Sequence, residues 1–128
     1  MSIGYRQDFL GFIYFSTASG GENYKSSINL GLLDQICALK WIQKNIKNFG
    51  GDPEKVTLFG NSAGGASISL LILMDESKGF FKRIIDESGP LTLTSSKEES
   101  QKLISILLQK YHAKNMEDLL SIPKEKIL

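Results

Sequence analysis

Apolar residues along the chain fall into two kinds of run, and each predicts a different element. Leu32, Ile36, Leu39, Ile42 and Ile46 recur at helical spacing, with Leu33, Cys37 and Trp41 forming a second row beside them. A stripe that wide predicts a helix packed on a sheet. Gly50 and Gly51 end it, and Asp52-Pro53 turns the chain away from helical geometry. The other kind of run is short. Val56 to Phe59 has no polar alternation and predicts a strand covered on both faces. The aromatic and β-branched stretch "FLGFIYF", residues 9–15, is a candidate strand that ends in a loop rich in Gly, Ser and Asn.

The rest of the chain continues the alternation. Ser62 to about Met74 is long enough for a helix, although the β-branched Ile68 and Ile72 weaken it by propensity alone. "RIIDES", Arg83 to Ser88, predicts a second buried strand. Ser96 with Glu99 forms a capping box ahead of Leu103, Ile104, Leu107 and Leu108, which predicts an amphipathic helix. A shorter helix follows over Met116 to Leu120, and Pro123 is placed to open a last one. Strands alternating with helices imply an α/β fold with a few-stranded, mostly parallel sheet flanked by helices. So small a sheet leaves its edges and one broad face thinly covered, an indication that more structure belongs with it.

Composition narrows the function classes without choosing one. With 128 residues the chain suits one domain, and 41% hydrophobic and 23% charged residues are globular values rather than those of a disordered or fibrous chain. A formal net charge of +1 offers no field for nucleic acid or anionic lipid, so neither is an expected partner. The longest apolar run, Ile68 to Met74, is far too short to span a bilayer. No secretory signal is visible in "MSIGYRQDFLGF"; this permits a cytoplasmic location and equally suits an incomplete copy of an exported protein. The single cysteine, Cys37, sits among apolar helical neighbours and is expected to be a buried, inert thiol.

Chemistry concentrates at Gly60-Asn61-Ser62-Ala63-Gly64, a G-x-S-x-G nucleophile elbow lying between the predicted strand and the predicted helix. A serine that attacks a carbonyl must stand proud of the sheet, so the chain turns sharply there, and small residues two before and two after make that turn possible. The helix that follows aims its unpaired N–H groups at the point where negative charge develops, which makes the Ala63 backbone N–H an oxyanion donor. The plainer alternative is a tight turn whose serine caps the helix.

A longer stretch resembles a known family. "FGGDPEKVTLFGNSAGG", Phe49 to Gly65, is similar to the type-B carboxylesterase and cholinesterase signature at Phe49, Gly50, Gly51, Val56, Leu58, Gly60, Ser62, Ala63 and Gly64. "INLGLLDQICALKWIQKNI", "GYRQDFLGF" and "SKGFFKRIIDESG" resemble other segments of that family. The resemblance implies that residues 1–128 are a partial α/β hydrolase domain, the central segment of the fold, with Ser62 as nucleophile and a small carboxylic ester as substrate. No metal or organic cofactor is implied. Ser88, in the family's S-G, is either a supporting group near the catalytic residues or a plain turn serine. Asn61 stands where the family usually has Glu, which keeps hydrogen bonding but removes a carboxylate.

Three catalytic parts of the family have no counterpart in the chain at their expected places. An H-G-G stretch that supplies a second oxyanion donor should precede Tyr5, and the acid and the histidine of the triad should follow well after Leu128. The remainder of a hydrolase domain is therefore an expected partner, and the chain by itself is expected to have little esterase activity. One missing oxyanion donor alone costs about two to three powers of ten in rate. His112 is expected to be an exposed helix-end residue. A sharper alternative makes it a surrogate base, with Asp86 or Glu87 as orienting acid, in a minimal hydrolase. A second alternative is a non-catalytic binding module on the same fold.

Overall fold

The computed structural model describes residues 1–92 and 94–127. In chain order the elements are α1 (Asp8–Phe12), α2 (Leu30–Asn45), β1 (Thr57–Asn61), α3 (Ala63–Leu73), β2 (Arg83–Glu87), α4 (Lys97–Lys110), α5 (Met116–Leu120) and α6 (Lys124–Ile127). The residues gather into two compact units, one of Met1–Tyr5 with Leu32–Thr94 and one of Arg6–Gly31 with Ser95–Leu128. Among the described residues no helix is long and apolar enough to cross a membrane.

The first unit is built on a β1-α3-β2 crossover. The two strands pair in parallel, with Leu58 opposite Ile84, Phe59 opposite Ile85 and Asn61 opposite Glu87. Side chains alternate across a strand, so Leu58, Gly60, Ile84 and Asp86 share one face and Thr57, Phe59, Asn61 and Ile85 the other. α3 packs on both strands and buries Ala66, Ser67, Ile68 and Leu71. The expectation of a strand covered on both faces fails: Phe59 is 72% exposed and its cross-strand neighbour Ile85 is 53% exposed. Among the described residues only the face carrying Leu58 and Gly60 receives a helix, so the apolar run forms a strand covered on one face, as expected for so small a sheet.

α2 is shifted from its sequence expectation in the same direction. Its first row, Leu32, Ile36, Leu39 and Ile42, is buried, but Trp41 is 46% exposed and Cys37 is also exposed, which corrects the expected buried thiol. Each step along a helix rotates about 100°, so the second row points beside the buried seam rather than into it. The helix tightens into a 3₁₀ turn over Ile46–Phe49 and stops at Gly50, whose φ of 76° only glycine adopts without strain. The Gln43 amide then ties this region down by donating to the carbonyls of Pro53 and Phe80, at 3.0 Å each.

The second unit has its own core, in which Ile13, Ala18, Ile104, Met116 and Leu119 are buried with Phe9, Phe15, Leu107 and Leu108 packed around them. The candidate strand at residues 9–15 is absent; the segment forms α1 and leads into a 3₁₀ turn over Phe15–Thr17. Gly11 N–H donates to the Gln7 carbonyl at 3.2 Å and Phe15 N–H to the Ile13 carbonyl at 3.1 Å, while Phe15 N–H also reaches Ser27 Oγ, later in the chain, at 2.7 Å. α4 begins with the expected capping box: Ser96 Oγ accepts from Glu99 N–H at 3.1 Å and Glu99 Oε2 from Ser96 N–H at 2.7 Å. It ends in a Schellman turn, with His112 N–H on the Gln109 carbonyl and Ala113 N–H on the Leu108 carbonyl, and His112 at φ 54°.

Candidate functional site

β1 ends at Asn61 and α3 begins at Ala63, so Ser62 alone makes the turn between them. Its backbone sits at φ 52°, ψ −119°. That is outside the left-handed helical well and costs a residue with a Cβ about 1–3 kcal/mol. Hydrogen bonds on both sides hold it there. Ser62 N–H donates to the Glu87 carbonyl at 2.9 Å, and the Ser62 carbonyl accepts from Ala66 N–H at 2.9 Å to open α3. The Asn61 amide reaches the same Glu87 carbonyl at 3.2 Å. An ionised Glu at that position has no proton to donate, so Asn61 makes a strand-to-strand tie that the usual family residue could not make in this form.

The serine side chain is exposed and makes no capping hydrogen bond to α3, which removes the plain helix-cap alternative. Among the described residues no backbone carbonyl accepts the Ala63 N–H, the amide next to the serine in the first turn of α3. An exposed hydroxyl and a free-ended amide therefore sit together at the positive end of a helix dipole, the arrangement acyl transfer requires.

The glycines divide by role in a way the motif alone does not reveal. A Cβ on Gly60 would meet the Gly64 carbonyl carbon at 2.5 Å and its oxygen at 2.7 Å, so the strand can pass beneath the helix only as glycine. A Cβ on Gly64 would meet nothing within 4 Å; the expectation that the second small residue relieves crowding does not hold there. The crowded partner is Gly65, where a Cβ would overlap Asp86 Oδ1 and come within 2.9 Å of Gly89 Cα. Sequence reasoning missed Gly65 and Gly89 as positions where only glycine fits, although both stand inside the segments that carry the family resemblance.

Ser88 lies directly beyond the Glu87 carbonyl that holds Ser62, exposed and at φ 57°. Gly60, Asn61, Ser62, Ala63, Gly64 and Ser88 are thus gathered at the carboxyl ends of the two strands, where ligands bind in open α/β sheets. His112 is an exposed residue of the second unit, at the end of α4, as expected. Among the described residues no group of three or more His, Cys, Asp or Glu side chains could hold a metal ion.

Comparison with known proteins identifies the family and the fold. The sequence profile of the carboxylesterase family matches residues 1–126. The para-nitrobenzyl esterase of Bacillus subtilis (strain 168) is 44% identical over 130 residues, a match covering 94% of this chain and 26% of that protein. Liver carboxylesterase 1 of Oryctolagus cuniculus is 47% identical over 105 residues, covering 82% of this chain and 18% of the relative. Among solved structures, the Geobacillus stearothermophilus carboxylesterase EST55 superposes with a TM-score of 0.90 at 41% identity, over 98% of this chain and 26% of that one. The chain therefore spans about a quarter or less of the length of these relatives. It belongs to the carboxylesterase family and carries part of an α/β hydrolase fold.

Proposed function

We propose that this chain carries the nucleophile of a serine carboxylesterase. The Ser62 hydroxyl attacks the carbonyl carbon of a small carboxylic ester and gives its proton to a base. The Ala63 N–H stabilises the oxyanion that results. Collapse of the tetrahedral intermediate breaks the bond to the alcohol oxygen, which leaves with the proton, and water then hydrolyses the acyl-serine to the acid. The resemblance assigns the base, its orienting acid and the second oxyanion donor to segments outside residues 1–128.

The observation that carries this reading is the backbone of Ser62, strained at φ 52° and ψ −119° with its hydroxyl exposed and uncommitted. A serine needed only for a turn or a cap has no reason to be held so; glycine would serve at lower cost. The test is hydrolysis of p-nitrophenyl acetate by the gene product that carries this sequence. Ser62→Ala is expected to lower turnover by about five to six powers of ten, leaving only the residual rate that substrate binding and the oxyanion donors sustain without the nucleophile. Retained turnover in that variant contradicts the assignment.

A further inference from the structure

Asp86 is the next-to-last residue of β2, on the sheet face that meets α3. Its carboxylate joins two elements: Oδ2 accepts from the Ser69 hydroxyl on α3 at 2.8 Å, and Oδ1 accepts from Gly89 N–H, past the end of β2, at 2.8 Å. The Gly89 bond closes a turn across Glu87 and Ser88, and that turn holds Ser88 at its positive φ of 57°. No atom larger than hydrogen fits between these parts. A Cβ on Gly65 would overlap Asp86 Oδ1, and a Cβ on Gly89 would overlap the backbone of Gly65 and Ala66. The first turns of α3, the end of β2 and the turn after it are therefore in backbone contact, with the Asp86 carboxylate bonded to both sides.

We infer that Asp86 is a positioning residue for the elbow. The direction of the Ser62 hydroxyl and of the Ala63 N–H depends on how the start of α3 is seated against β2. Two features fix that seating: the Glu87 carbonyl, which takes the Ser62 and Asn61 donors, and the Asp86 carboxylate, which takes Ser69 and Gly89. They lie on adjacent residues of one strand, so a carbonyl holds the elbow residue Ser62 and a carboxylate holds α3 two turns further on at Ser69. Charged acceptors make the stronger class of hydrogen bond, and a misplacement well under an ångström at the reacting atoms is already visible in rate. The catalytic consequence rests on the proposed role of Ser62; the seating itself does not.

Three variants test this, with amide hydrogen exchange and ester turnover read on each. Asp86→Ala removes both bonds, and exchange at the Ser62 and Ala66 amides is expected to quicken about tenfold, with kcat falling about tenfold and KM within about twofold. Asp86→Asn keeps an acceptor for Gly89 and gains a donor for Ser69 Oγ, so both readouts should return to within about threefold of the parent. Ser69→Ala removes one bond at little risk to folding and should give an intermediate exchange rate at Ala66. Parent-like exchange at Ser62 and Ala66 in Ser69→Ala together with Asp86→Ala, or no recovery in Asp86→Asn, overturns the inference. If Ser62→Ala leaves turnover intact while the exchange pattern holds, the functional reading fails and the seating stands.

Discussion

At the residue scale, one motif contains two glycines with opposite demands. Gly60→Ala puts a methyl against the Gly64 carbonyl group, and overpacking of that kind costs about 1–3 kcal/mol. Gly64→Ala puts its methyl in open space at the start of α3, where alanine favours the helix, so stability should stay level or rise by up to about 1 kcal/mol. Denaturant midpoints of the two variants check both; a larger loss at Gly64 than at Gly60 would mean that the elbow is packed some other way. The motif was legible in the sequence because G-x-S-x-G states where the turn lies. It did not state that the crowded glycine after the serine is Gly65 rather than Gly64, since Gly65 is crowded by Asp86 and Gly89, which belong to a strand and turn about twenty residues later. Cys37 and Trp41 were misjudged for a related reason: the helical period fixes that two apolar rows adjoin, but only the surrounding elements decide which row is covered.

At the element scale, boundaries carried by local chemistry were the most readable. The Ser96–Glu99 box, the Gly50 stop and the short helix Met116–Leu120 all follow from side chains within a few residues of the feature. The stretch at residues 9–15 went wrong because aromatic and β-branched content favours a pleated, half-buried surface only when another strand accepts it. Here Gly11 and Phe15 donate to the carbonyls of Gln7 and Ile13, and no second strand is offered to the segment among the described residues. α4 closes on His112 in a left-handed conformation that glycine adopts more readily. His112→Gly is accordingly expected to raise stability by about 0.5–1 kcal/mol, measured as a higher thermal midpoint. A lower midpoint would show that the imidazole contributes contacts outweighing the backbone strain.

At the scale of the whole molecule, the family resemblance was legible because its signature residues cluster around one turn, and the same turn is the part of the fold with the tightest geometric requirements. The two-stranded sheet, its open Phe59–Ile85 face and the coverage of about a quarter of the relatives' length describe a segment of a larger fold type. What this segment contributes is a hydroxyl held out of the sheet beside a helix-end amide, and every chemical step proposed above passes through it. Covalent trapping addresses that claim most directly. The gene product carrying this sequence is treated with a fluorophosphonate ester and its peptides are mapped by mass spectrometry. One phosphonyl group per chain is expected, on Ser62, and none in Ser62→Ala; label on another serine, or an unmodified Ser62 in an ester-hydrolysing preparation, contradicts the assignment of Ser62 as nucleophile.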